Sequence, residues 1–458
     1  MDGRNAATGE GLRALAQFTA EARLERFPAE IVEKARACLL YAIAVGVAGM
    51  RVPQPAQAVR AVAKGSTGKA TRLYDDRKCD AGHAAFANGT LFHARVQDDA
   101  HPAGHVGVVV IPTALAMAET TRASGADLLA AIIAGYETAL RIGRDHATDL
   151  STRGFRTTPA YGVFGAAAAA SRLLGMDAAA TAHALSLAAN MAGGLREYSE
   201  AGSEDYPYQA GIAASNGIMA ARLADAGATA AASALDGKAG FFRAYGHEDK
   251  RYELRLADDL GTVFEMSAIT YKPYPICQFH RGVVRGSAIL SGRANGRALA
   301  SLTVRMHPFE ADFYGVRYAG PFATFPQTFM SAPFCAALGW TRGTADLRGL
   351  TNFLATDVLA LVKRVTIVSD DGRARYAPLL EAKLADGTML EWEERERAGA
   401  YALTWHTAVD MADQLLSEIG APQKKARRLV DSVAEIDGAA GVGQVISALH
   451  CACLSART

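Results

Sequence analysis

The stretch from Ile31 to Met50, IVEKARACLLYAIAVGVAGM, decides the fold class. It follows Pro28, a residue suited to the first helical position, and its charged residues all fall in the first two turns. Beyond Arg36 the helical period carries apolar side chains on every face, which marks a helix buried on all sides. Working outward, ADLLAAIIAGYETALRIGRDHA (126–147) repeats the pattern, with Asp127 placed to cap its start. VFGAAAAASRLLGM (163–176) closes at Gly175, and Asp177 opens AAATAHALSLAANMAGGL (178–195). Small side chains at this density let helix axes approach closely, which suits a compact helical domain. No repeat at a fixed period of about 20 to 50 residues interrupts it.

The texture changes after Ala268. LASLTVRMHP (299–308) and KRVTIVSDD (363–371) alternate as strands do, and LLEAKLADGTMLEWEER (379–395) reads as two strands joined by a two-residue turn at Asp386-Gly387. Helical patterning returns in AVDMADQLLSEIG (408–420) and GVGQVISALHCACL (441–454). The expected fold is mainly α. A large helical domain takes residues 1–267 and 404–458, and a smaller α+β lid domain is inserted at 268–403.

Composition narrows the function classes. Among 458 residues, 48 basic side chains balance 47 acidic ones, which leaves no net field to draw nucleic acid or an anionic membrane. A small-molecule partner is favoured. The first residues lack a basic segment followed by an apolar one, and the run LLYAIAVGVAGM (39–50) is too short to span a bilayer, so a cytoplasmic location is expected. The six cysteines, Cys38, Cys79, Cys277, Cys335, Cys451 and Cys453, contain no CxxC pair. Cys451 and Cys453 supply at most half of a tetrahedral metal site, and a packed helix end explains them as well.

Four segments concentrate polar groups. VQDDAHPAGHVG (96–107) sets Asp98, Asp99, His101 and His105 in a Gly- and Pro-containing loop. Carboxylate beside imidazole suits proton transfer, and a solvated turn is the competing reading. Asp and His also bind metals, but no HExxH or second His pair supports that here. ITYKPYPICQFHRG (269–282) carries Lys272, Tyr274, His280 and Arg281 where the helical and mixed regions meet; Lys272 suits a substrate carboxylate, or the segment is a hinge whose cations reach solvent. GFRTTPAYGVFG (154–165) places Arg156 before an Ala-rich helix, either as an anion clamp or as part of an ordinary helix start. REYSEAGSEDYPYQAG (196–211), with Tyr206 and Gln209, reads as a polar, Gly-containing connection.

Taken in order, these blocks resemble the MmgE/PrpD family. The resemblance runs through AAFANGTLFHARVQDDAHPAGHVGVVVIPTALAMAE, AAIIAGYETALRIGR, GFRTTPAYGVFGAAAAASRLLGM, SALDGKAGFFRAY, YKPYPICQFHRG and LADGTMLEWEER. It implies a helical domain built from both chain ends, an α+β lid, a homodimer and an active site between helical domain and lid. It also implies metal-free, cofactor-free loss of water or carbon dioxide, or epimerisation, beside a carboxylate of a small polycarboxylic acid.

The site departs from the family's pattern. Asp98, Asp99, His101 and His105 match the family's loop, whereas Val96 stands where an Asp is usual and Ala100 where a Thr is usual. Arg156 replaces a His, Tyr206 a substrate-binding Lys, and Gln209 a His; Lys272 is retained. The expectation is a diverged lyase. His105 or a loop Asp removes a proton, Tyr206 is a candidate acid, and Lys272, Arg156, Gln209, His280 and Arg281 are candidate substrate-binding groups. An epimerase or isomerase needs the same proton abstraction, and a non-catalytic ligand-binding homologue is the reading of another class.

Overall fold

The computed structural model describes residues 9–247 and 249–457, with the backbone alone for 397, 398 and 453–457. The side chain of Cys453 and the first eight residues, where a leader segment was sought, therefore lie outside the described residues. The chain divides into two compact units. One holds Met1–Leu195, Tyr206–Ile269 and Leu403–Thr458; the other holds Arg196–Asp205 and Thr270–Ala402.

The first unit is helical apart from a two-stranded hairpin of β1 (Ala70–Arg72) and β2 (Arg77–Cys79). The opening stretch forms the helix Ala29–Ala48, every residue of which from Ala37 onward is buried. Around it pack the helices Ala81–His93, Gly107–Thr121, Gly125–Gly143 and Trp405–Glu418, while Tyr206–Asp225 packs on Thr157–Leu174 and Ala81–His93. Small residues permit this. Where Gly125–Gly143 crosses Thr157–Leu174, a Cβ on Gly165 would stand 2.6 Å from the Gly135 carbonyl oxygen, so the two backbones touch only because both residues are glycine.

Local signals were read with three corrections. Ser124, not Asp127, caps the Gly125–Gly143 helix: its hydroxyl accepts from the Asp127 backbone N–H and donates to the Asp127 carboxylate at 2.7 Å. Tyr206 is not in a polar connection but begins a 20-residue helix, with Pro207 in the first turn, where a missing N–H costs nothing. Gly175 and Asp177 do end and cap their helices as expected.

The second unit carries a four-stranded sheet in the order β4 (Val365–Ser369), β3 (Leu299–Met306), β5 (Leu379–Leu384), β6 (Met389–Glu393). β3 runs parallel to β4 and antiparallel to β5, with Val304 opposite both Ile367 and Leu380. Helices Arg281–Ala294 and Ala332–Arg342 pack on each other and on the sheet. The β5–β6 connection is the third correction. Leu384 N–H bonds the Thr388 carbonyl and Gly387 N–H the Leu384 carbonyl, so the loop is the three residues 385–387, with Gly387 at φ 87. A type I turn followed by a left-handed glycine gives this geometry, and the same Asp-Gly pair serves it as well as the two-residue turn.

The whole is mainly α with a smaller α+β part. Among the described residues no helix is long and apolar enough to cross a membrane. Where the chain leaves the first unit at Ile269 and returns at Leu403, Lys34 joins the two points by donating to their carbonyls at 2.7 and 2.6 Å. Burial lowers the pKa of this ammonium, but its two carbonyl acceptors favour the charged, donating form.

Candidate active site

Residues 94–106 leave the helix Ala81–His93 and enter Gly107–Thr121. The segment is a loop, but it is not a solvated one: Asp98 and Asp99 are 2% and 3% exposed. A tight turn organises it. His101 and Gly104 exchange backbone hydrogen bonds of 3.1 and 2.9 Å, and Gly104 sits at φ 131, a conformation that side chains oppose. The same left-handed region is occupied by Val96 at φ 61, a costly place for a β-branched residue.

Each polar residue of the loop has its own partner. His101 accepts from the Ala103 N–H on Nδ1 at 3.0 Å and turns Nε2 toward Glu265 at 3.6 Å. Glu265 also receives Arg144 at 2.8 Å. Burial alone would raise the Glu265 carboxyl, but hydrogen bonds and charge from His101 and Arg144 hold it down at about 2. His101 thus fastens the loop to the segment after residue 264.

Asp99 accepts the Tyr136 hydroxyl on Oδ2 at 2.5 Å. Burial, followed by the charge of Asp99, pushes the Tyr136 hydroxyl well above its ordinary pKa, so it stays a donor. Gly107 leaves the space for this pair, since a Cβ there would lie 2.5 and 2.7 Å from the two carboxylate oxygens. Held from behind, Asp99 offers its carbonyl to His105 Nδ1 at 2.7 Å, while the His105 backbone N–H donates to Thr158 Oγ1 at 3.1 Å. A carbonyl only accepts, so in the neutral ring the proton is on Nδ1 and Nε2 is the basic nitrogen.

Asp98 lies between two histidines. Oδ1 is 3.1 Å from His93 Nδ1, and Oδ2 is 3.3 Å from His105 Nδ1. The two rings stand 6.3 Å apart. On the far side of His93, Arg156 sets Nη2 against Nε2 and sends Nη1 to the Tyr206 carbonyl at 2.6 Å and the Gln209 side-chain oxygen at 3.4 Å. Tyr206 closes the group. Its ring meets His93 edge-on at 5.4 Å and its hydroxyl donates to the Ala94 carbonyl at 2.6 Å, while the Gln209 amide donates to Leu195.

The structure therefore gathers Asp98, Asp99, His105, Arg156, Tyr206 and Gln209, and gives His101 a separate partner. Lys272, His280 and Arg281 belong to the second unit. Lys272 is fully buried there, and its charge, with that of Arg196, opposes the burial that pushes the Cys277 thiol up to about 11. His280 gives Nε2 to the Met330 carbonyl at 2.8 Å, and burial lowers its pKa to about 4, so it is neutral at ordinary pH. Arg281 donates to Thr270, Tyr271 and Gln278 and stacks over Tyr401 at 4.5 Å. Among the described residues no three His, Cys, Asp or Glu side chains converge as metal ligands would.

Two members of the site were missed from sequence. His93 stands five residues before Asp98 at a helix end, a spacing that could have flagged it. Tyr136 is the one aromatic hydroxyl of an otherwise apolar helix stretch, and a buried Tyr needs a hydrogen-bond partner somewhere.

A carboxylate beside a tautomer-fixed imidazole on a helical scaffold is chemically able to move a proton. The profile of the MmgE/PrpD N-terminal domain matches residues 13–253, over half of the chain, and the chain belongs to the MmgE/PrpD family. Among curated proteins it is similar to the cis-aconitate decarboxylase-like protein oryM of Aspergillus oryzae, with 33% identity over 221 residues, 46% of each chain. It is also similar to a cis-aconitate decarboxylase of Aspergillus terreus, with 29% identity over 280 residues, covering 58% of this chain and 57% of that one. The human cis-aconitate decarboxylase is 32% identical over 200 residues, 42% of this chain and 41% of its own. The chain spans about half the length of the curated relatives it matches.

Proposed function

We propose that this chain is a cofactor-independent lyase acting beside a carboxylate of a small polycarboxylic acid, with His105 Nε2 as the atom that gives or takes the proton. The observation that carries the reading is the His105 ring, whose Nδ1 is held at 2.7 Å by the Asp99 carbonyl and faces Asp98 at 3.3 Å. Both contacts can be kept by the neutral Nδ1–H ring, and both stabilise the imidazolium when Nε2 is also protonated. In a decarboxylation the C–C bond to the leaving carboxyl breaks, its electron pair stays on carbon as carbon dioxide departs, and imidazolium Nε2 delivers the proton that quenches it. In a dehydration the neutral Nε2 instead takes the C–H proton and the electron pair expels the hydroxyl, which leaves as water on taking that proton from the imidazolium. The names of the curated relatives favour the first.

Within this reading Asp98 stabilises the imidazolium, and Asp99 and His101 hold the loop in place. Incubating the purified chain in deuterated buffer with cis-aconitate and a panel of related acids tests the reading. Release of carbon dioxide with one deuterium incorporated in the product, or release of water with loss of a substrate C–H hydrogen to solvent, is expected for at least one acid. No exchange and no release across the panel would overturn it, and deuterium exchange with inversion and no bond loss would replace it with an epimerase.

A further inference from the structure

We propose that His93 is a positioning residue for His105, locked by Arg156 as the neutral Nδ1–H tautomer. This rests on His105 being the proton-transferring group. Arg156 carries only donors and does not lose its charge, so its Nη2 against His93 Nε2 requires a lone pair on that nitrogen. A proton there would set two donors and two positive charges against each other. The single proton of the ring is thus on Nδ1, directed at Asp98 Oδ1 at 3.1 Å. Tyr206 presents its aromatic ring edge-on and His105 stands 6.3 Å away, while Asp98 would favour a charged ring and Arg156 opposes it.

The consequence is directional. Asp98 receives a fixed N–H from His93 on one oxygen, which fixes the plane of its carboxylate and keeps it ionised. The other oxygen is thereby presented to His105 Nδ1 at 3.3 Å. Arg156, the residue that departs from the family's usual His, acts here on the imidazole pair, with its Nη1 on the Tyr206 carbonyl and the Gln209 side-chain oxygen. In this role it supports the imidazole pair from within the site.

The test is nitrogen NMR of the whole chain labelled with 15N-histidine, followed from pH 5 to 9. One of the eleven histidines, identified by its loss in His93→Asn, should show the neutral Nδ1–H pattern throughout and not titrate. A His93 that titrates in this range, or that carries its proton on Nε2, overturns the proposal from the wild-type spectrum alone. The variants add a functional readout. His93→Asn retains an N–H for Asp98 and should leave the His105 pKa and the pH profile of turnover in place. His93→Leu removes it, leaves the Asp98 charge uncompensated, and should raise the His105 pKa by about one unit or more. A folded His93→Leu protein with unchanged His105 titration also overturns the proposal. Failure of the lyase reading is separately visible, as absent chemistry in a protein whose His93 still shows the locked tautomer.

Discussion

The Tyr136 hydroxyl donates to Asp99 Oδ2 at 2.5 Å, joining the middle of a buried helix to the residue whose own carbonyl holds His105. Neither group is on the surface, so the bond is made in a medium that screens it little. Tyr136→Phe keeps the ring and leaves a buried carboxylate oxygen short of its donor. The expected loss is about 1.5 to 3 kcal/mol of folding stability, read from the denaturant midpoint at constant slope. Turnover should fall as well, because the Asp99 carbonyl loses its fixed position. A midpoint equal to wild type would mean that the hydroxyl does not hold the loop.

Gly107 tests the same contact from the other side. A methyl there would collide with the Tyr136 hydroxyl and come within 2.5 Å of Asp99 Oδ2. Gly107→Ala should therefore destabilise by about 1 to 3 kcal/mol, as overpacking does in a close-packed interior. Removing the hydroxyl with Tyr136→Phe returns part of that space. The double variant is expected to be less destabilised than the sum of the singles, with a coupling of at least about 0.5 kcal/mol in a double-mutant cycle. Strict additivity would show that the two residues act independently.

These contacts mark where sequence ceases to inform. The helix Ala29–Ala48 is legible because its apolar periodicity is a local property, and the same holds for the caps at Gly175 and Asp177 and for the alternation of β5. Errors of detail came from signals that serve two geometries: Pro207 punctuates a loop or opens a helix, and Asp386-Gly387 fits either a two- or a three-residue hairpin loop. The loop at 96–107 could be singled out from residue types alone. Its partners could not. His93 meets Arg156 across 63 positions and Asp99 meets Tyr136 across 37, pairings set by helix packing, for which no local pattern exists. The same holds for Arg156, whose charge is visible in sequence while its contacts with His93, Tyr206 and Gln209 are not.

The His101–Glu265–Arg144 contact predicts an acid response. The Glu265 carboxyl is held at about 2 in the folded chain against an ordinary value of 4.5, so folding favours its ionised form. This contribution is fully present above about pH 4.5 and is lost as the pH falls toward 2, because the unfolded chain takes up the proton first. Glu265→Gln removes the titrating group. Its stability should fall less steeply than that of wild type between about pH 4.5 and 2, with the full difference between the two proteins reached above that window, once measured as denaturant midpoints across the series. Parallel slopes for the two proteins would remove Glu265 from the acid transition.

His105→Gln is the most direct probe of the chemistry. The glutamine amide occupies much of the imidazole's volume and retains an N–H, so the loop keeps its shape while the group that exchanges a proton near neutral pH disappears. With His105 only partly exposed and its backbone N–H separately held by Thr158, the fold should tolerate the change. Loss of general acid–base catalysis costs roughly 10² to 10⁴ in turnover. The expected pattern is a fall of that size with little change in KM, an unaltered melting profile, and loss of the limb of the pH profile that reports the imidazole. Turnover within threefold of wild type would assign the proton to another group, and a collapse of the melting transition would mean that His105 is needed for the loop itself.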